Sequence, residues 1–147
     1  MPSSRQVPNW ILLGLYIFSI IGFIDATYLT AEHMIGVIPP CSITKGCEQV
    51  LTSNYATLFN IPIALFGALF YLASFLLAVA YRETRNKKLL NLILFFSIGA
   101  FLASLGFVYI QLFVLHAICQ YCMISAGTST AIFVLALGAF LTQRRQQ

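Results

Sequence analysis

Four apolar stretches, each about long enough to cross a membrane, dominate this chain: about 10–32, 61–81, 91–115 and 119–142. A helix needs roughly 20 apolar residues to span hydrocarbon, where each backbone amide must find its partner within its own segment. None of the four alternates with the period of a barrel strand. The expected fold is therefore all-α: an integral membrane four-helix transmembrane bundle, with residues 1–147 forming a single membrane domain. A long loop, about 33–60, joins the first two spans. Only 8% of the residues are charged, against about 25% in a soluble domain, too few to wet a globule. The first stretch is expected to stay as a helix, since no convincing small-x-small cleavage site follows it. The net charge of +4 comes without a basic patch interleaved with aromatics, so nucleic acid is not an expected partner.

Basic residues orient the bundle, because cytoplasmic loops carry an excess of Lys and Arg. Arg5 precedes the first span; Arg82, Arg85, Lys87 and Lys88 lie between the second and third; Arg144 and Arg145 follow the fourth. With both termini cytoplasmic, Lys45 is the only basic residue left outside. The chain is expected to be a multi-pass protein of the cytoplasmic (inner) membrane. Its 33–60 loop and its third-to-fourth connection would then be extracytoplasmic.

All four cysteines fall on that outer side. Cys41 and Cys47 lie in the long loop, and Cys119-Gln120-Tyr121-Cys122 opens the fourth span. In a bacterium that compartment is oxidising, and disulfides persist there. Passive stapling is one reading, although a CxxC closes too small a loop to constrain the unfolded chain much. Structural zinc is another, although the five residues between Cys41 and Cys47 exceed the usual two to four. The third reading is a pair of exchanging dithiols. A helix start favours a thiolate, and neighbouring disulfides exchange through mixed intermediates. This reading is preferred, and no metal site is expected.

Exchange alone moves electrons between sulfurs, so turnover needs a terminal acceptor or donor. The sequence has no GxGxxG or GxxxxGK fingerprint, and His33 and His116 are too few to complete a haem or iron–sulfur ligand set. A lipid-soluble quinone, ubiquinone or menaquinone, reaches Cys122 through the bilayer and needs no fingerprint. It is the expected cofactor.

The order of motifs resembles the vitamin K epoxide reductase family in its prokaryotic form. The residues that carry the match are DATYLTAEH at 25–33, CSITKGC at 41–47, VLTSNYATLFNIPIALFGALFY at 50–71 and CQYC at 119–122. With the four spans, the resemblance covers nearly the whole chain. In the DsbB-type quinone oxidoreductases the CxxC comes in the first outer loop; here the loop pair comes first. The resemblance implies an enzyme, a quinone-dependent thiol-disulfide oxidoreductase. A secreted thioredoxin-fold (DsbA-like) partner would give electrons to Cys41, Cys47 would exchange with Cys119, and Cys122 would lie next to the quinone. The net result would support disulfide formation in secreted proteins. Many prokaryotic members carry a fused thioredoxin-like domain; this chain stops at Gln147, and its partner is expected to be separate.

Two positions depart from the family pattern. Vertebrate members hold their naphthoquinone with an Asn early in the second helix and a Tyr four residues after the CxxC. Ile63 and Ala126 stand there in this sequence, and neither side chain donates a hydrogen bond. Ordinary quinone reduction is therefore preferred over vitamin K quinone or epoxide reduction. A non-enzymatic membrane scaffold with static disulfides is the remaining alternative.

Beyond the cysteines, the expected quinone-side set is Cys122, Ser53, Gln111, Phe107, Ala126 and Asp25. Ser53 enters because family members place a Ser there. Gln111 could donate to a quinone oxygen or bond a neighbouring helix, and Phe107 could line a pocket. Asp25 is the ionisable residue well inside a span, where carboxylates are costly. It could take protons from the dithiol, or bond Tyr28 or another helix. The stretch CEQVLTSNYATLF repeats apolar residues at helical spacing, through Val50, Leu51, Tyr55, Leu58 and Phe59. It is expected to form a short interfacial helix over the bundle mouth. Small residues four apart, Gly99 with Ala103 and Ala100 with Ser104, are expected to let helices approach closely.

Overall fold

A computed structural model describes residues 7–146; Arg5, one of the basic residues expected on the cytoplasmic side, lies outside them. Four helices are long and apolar enough to cross a membrane: α1 (Asn9–Ile35), α3 (Ile63–Thr84), α4 (Lys87–Tyr109) and α5 (Gln120–Arg144). They pack in a ring in which α1 touches α3 and α5, and α4 touches the same two. At the ends Ile35, Thr84, Lys87 and Arg144 the helices run a few residues past their apolar stretches, because a helix does not stop where the hydrocarbon does, whereas α4 already ends at Tyr109. Gly36 ends α1 in the left-handed region at φ 74°, and Arg85 ends α3 likewise. Asn86 then caps α4, its side-chain oxygen accepting the Lys88 N–H at 3.0 Å. The chain is a multi-pass membrane bundle, as its spans required.

The inner faces meet around Leu15, Tyr71, Leu90, Ile93 and Ile132, with Ala78, Ala136 and Ala139 keeping the backbones close. Trp10, Ile24, Leu76, Leu102 and Val134 stay exposed on the outer faces, where lipid replaces water as their surroundings. One contact joins three helices. Gly22 on α1 leaves room for the Tyr71 ring of α3, which a Cβ would strike. The Tyr71 hydroxyl then donates to the Ser125 carbonyl of α5 at 2.7 Å and meets the Thr128 hydroxyl at 2.7 Å.

The loop helix is shorter than its periodicity predicts. α2 covers Cys47–Leu51 only, followed by a single 3-10 turn at Asn54–Ala56. Thr52 and Ser53 end it: their hydroxyls donate back to the carbonyls of Glu48 and Val50, at 2.6 and 2.7 Å. Such local bonds offer the backbone an alternative to the helix. Leu58 and Phe59, assigned to a helix by pattern, lie instead in a two-stranded hairpin, β1 (Thr57–Leu58) against β2 (Ile61–Pro62). Its two turn residues, Phe59 and Asn60, both take positive φ, as a tight hairpin turn demands.

The small residues of α4 also behave differently from expectation. A Cβ on Gly99 would meet nothing within 4 Å. Gly99, Ala100, Ala103 and Ser104 all line a cavity, although at Ser104 the helices do meet, its hydroxyl lying 2.7 Å from that of Ser129 on α5. The close crossings belong to Gly14 and Gly22 of α1, where an added Cβ would run into Leu135 and Tyr71.

Candidate functional site

The cysteines gather at one end of the bundle. Cys41 and Cys47 are joined in a disulfide with their Cα atoms 5.9 Å apart, and Cys119 and Cys122 are free thiols. Cys47 and Cys119 lie in the heart of one packed cluster with Val50 and Ala117; Cys41 and Cys122 pack against its edges. The two pairs, 72 residues apart from Cys47 to Cys119 in sequence, therefore share one apolar nest. The Thr44 hydroxyl lies 3.4 Å from Cys41 Sγ and 3.9 Å from Cys47 Sγ, bridging the loop pair.

The segment before α5 is built to present the CxxC. α4 gives way to a π-helical turn at Ile110–Val114, marked by the Leu115 N–H bonding the Ile110 carbonyl. Single π turns recur at functional sites because they rotate side chains out of the regular helical register. Here Gln111 turns inward and is fully buried. Its carbonyl accepts the Ala117 N–H at 3.0 Å, and its Oε1 accepts the Cys119 N–H at 2.9 Å. Gln111 thus holds the backbone of the CxxC and does not reach the cavity. Its Nε2 has no partner among the described residues.

Cys119 is the extended residue that precedes α5, outside the span itself. Its thiol is held below the ordinary value of 9, at about 7. The Cys122 side chain is the main cause, donating to the Cys119 sulfur. Burial opposes this, while the backbone N–H groups of Cys122 and Tyr121 at the helix start lower it further.

Beneath Cys122 opens a cavity of about 900 Å³ among α3, α4 and α5, with Ala26, Leu29 and His33 of α1 and Val50 and Leu51 of α2 closing its upper side. Of the four cysteines, only Cys122 lines it. One stripe of α5, Cys122, Ser125, Ala126 and Ser129, follows the helical repeat down its wall. Phe66, Phe70, Phe95 and Phe107 supply much of the remainder. Phe107 and Ala126 of the expected quinone-side set thus face the cavity, as does Ile63. Phe95 and Phe66 at its rim are exposed, so the space communicates with the lipid side of α3 and α4.

The others stand elsewhere. Ser53 borders a smaller cavity of about 380 Å³ beside His33 and Leu51, its hydroxyl donating to the Val50 carbonyl. Asp25 is buried without lining either cavity, with Oδ2 unpartnered among the described residues. It makes no hydrogen bond to Tyr28; Tyr28 packs its ring on Tyr121, 5.7 Å between centroids.

Several residues of the site carry no signal that the sequence reading used. Gly46 is one: a Cβ there would lie 2.6 Å from the Ile118 backbone nitrogen. Gln120 and Tyr121 bond the loop across the cluster, and Tyr71 lines the cavity. The α5 stripe was visible in principle as small residues, Ser, Ala and Ser, at Cys122 plus three, four and seven. Among the described residues, no group of three His, Cys, Asp or Glu is arranged to hold a metal ion.

No curated protein matches the chain significantly. The model of the Vitamin K epoxide reductase family matches residues 13–137, from the first span to well into the last. Members of that family are membrane oxidoreductases that act on quinones and work with thioredoxin-fold partners. A disulfide pair in the loop fits quinone and thiol chemistry of that kind. A match over most of the chain establishes descent: the protein belongs to the vitamin K epoxide reductase family.

Proposed function

We propose that the protein oxidises a secreted thioredoxin-fold (DsbA-like) partner and delivers the electrons to ubiquinone or menaquinone, so supporting disulfide formation outside the cytoplasm. The observation that carries this reading is the ordering of the sulfurs. Cys41 is partly exposed at the cluster edge, Cys47 and Cys119 are buried together, and Cys122 alone meets the cavity. Such an order suits one-way hand-over from water to lipid. The partner's thiolate attacks the loop disulfide at Cys41 and leaves as a disulfide when Cys41 and Cys47 are reduced. The loop dithiol then reduces the Cys119–Cys122 disulfide by exchange. Two electrons and two protons finally pass from the Cys119 and Cys122 thiols to the quinone, and their disulfide reforms.

The cavity fits a quinone. Its volume suits a substituted ring, its wall is mostly apolar, and its rim opens toward lipid, where such a molecule dissolves. Ile63 and Ala126 on that wall offer no hydrogen bond, which supports plain quinone reduction over epoxide reduction. The positive-inside count supports cytoplasmic termini and extracytoplasmic cysteines. The test is rescue of disulfide formation in bacterial cells lacking their quinone-linked thiol oxidase. Wild-type protein should restore it and Cys122→Ala should not; rescue by Cys122→Ala would refute the reading. Cys41→Ala should block the protein partner while a small dithiol still drives quinone reduction.

A further inference from the structure

The side chains of Gln120 and Tyr121, the two residues inside the CxxC, reach across to the loop. Gln120 Oε1 accepts the Ile43 backbone N–H at 2.9 Å, and the Tyr121 hydroxyl donates to the Pro40 carbonyl at 2.8 Å. These bonds bracket Cys41, one residue before it and two after. On the other side of the disulfide, Gly46 immediately precedes Cys47. A Cβ there would lie 2.6 Å from the Ile118 nitrogen and 2.8 Å from its carbonyl oxygen. Gly46 has φ −96°, open to any residue, so glycine is needed for space and not for conformation.

We propose that Gln120, Tyr121 and Gly46 form a docking clamp that seats the Cys41/Cys47 loop on the CxxC and thereby sets the hand-over between Cys47 and Cys119. The proposal rests on the relay described above. In that step the Cys47 thiolate attacks Cys119 Sγ of the Cys119–Cys122 disulfide. The Cys47–Cys119 bond forms, the Cys119–Cys122 bond breaks, and Cys122 leaves as a thiolate. Cys41 thiolate then attacks Cys47 and releases Cys119, so the loop is oxidised and the CxxC gains two electrons. The two protons lost by the loop thiols balance the two taken up by Cys119 and Cys122. Sulfur exchange needs close, aligned atoms, and small misplacements cost rate. The three clamp residues act through the loop's position and not on a sulfur. Both side-chain bonds lie at exposed positions, where they add little to the fold and can serve placement.

The test uses the full chain in lipid nanodiscs with Cys41→Ser and Cys122→Ser, leaving Cys47 and Cys119 to pair in a glutathione redox buffer. The equilibrium yield gives their effective concentration for each other. With the clamp intact the disulfide should form readily. Tyr121→Phe and Gln120→Leu should each lower the effective concentration about fivefold, the worth of one hydrogen bond. Gly46→Ala should lower it further. Gln120→Glu keeps an acceptor oxygen for Ile43 and should stay within about twofold of the intact clamp. An unchanged value in Tyr121→Phe, Gln120→Leu and Gly46→Ala would overturn the clamp and leave the relay standing. Failure of Cys47 to pair with Cys119 even with the clamp intact would overturn the relay itself. Tyr121→Phe removes one exposed hydroxyl, so it keeps the test decisive if a bulkier change unfolds the chain.

Discussion

Cys119 sits where three influences meet: a neighbouring thiol, the start of a helix and a dry cluster. The first and second lower its proton affinity, and the third raises it. The lowering prevails, leaving the thiol at about 7 instead of 9. The reactive thiolate is then present above about pH 7 and is lost as pH falls through that value. In the reduced protein, ultraviolet thiolate absorbance should titrate with a midpoint near 7. Cys122→Ala removes the largest lowering influence, so the midpoint should climb back toward 9; a midpoint unmoved by that change would contradict the assignment. Gln111 works on the same residue from behind. Gln111→Leu leaves the buried Cys119 N–H without its acceptor, at a cost of about 1–3 kcal/mol. Thermal unfolding of the purified protein should register the loss.

Helix packing depends on a few places where the side chain has been removed or kept small. Gly22 lets the Tyr71 ring pass between α1 and α3 to reach Ser125 and Thr128 on α5. Gly22→Ala should force that ring aside and destabilise the bundle by about 1–3 kcal/mol, the usual range for overpacking, as read by thermal unfolding. Gly99 is the opposite case, with open space beside it. Gly99→Leu should fill part of the cavity without unfolding the protein. It should raise the KM for quinone about tenfold, within the range that one misfitting apolar group produces. The contrast explains why the small-residue pattern of α4 misleads at Gly99, while Ser104 does meet Ser129 of α5. Spacing shows that a surface is smooth, and it does not show whether a helix or a vacancy lies opposite. The loop helix exists but is shorter than its pattern, for a similar reason. The apolar repeat through Val50, Leu51, Leu58 and Phe59 is genuine, but Thr52 and Ser53 bond back to the helix carbonyls and stop it after Leu51.

The whole molecule is a bundle with four cysteines gathered at one end and a cavity below them. The bundle was legible in the sequence: four apolar runs dictate the spans, and the cysteine order separates this family from its DsbB-type neighbours. The cavity wall was legible in part, since Phe107 and Ala126 face the space and Ser53, Gln111 and Asp25 do not. Gln111 shows why. A π turn after Tyr109 rotates it onto Cys119, and no period in the sequence announces that turn. The Gly46 contact was equally hidden, because its requirement is a backbone 72 residues away at Ile118. What the sequence could not supply is which residues meet across the mouth of the bundle. There the loop and the CxxC become one cluster.

The central claim is that both dithiols feed one quinone site through Cys122. Counting the quinol formed when fully reduced protein meets excess quinone, with no further reductant present, decides it. Wild-type protein should yield two quinols per chain, one for each dithiol. A Cys41→Ala, Cys47→Ala variant should yield one, and Cys122→Ala should yield none. Two quinols from the variant lacking the loop pair, or any stoichiometric quinol from Cys122→Ala, would contradict the account.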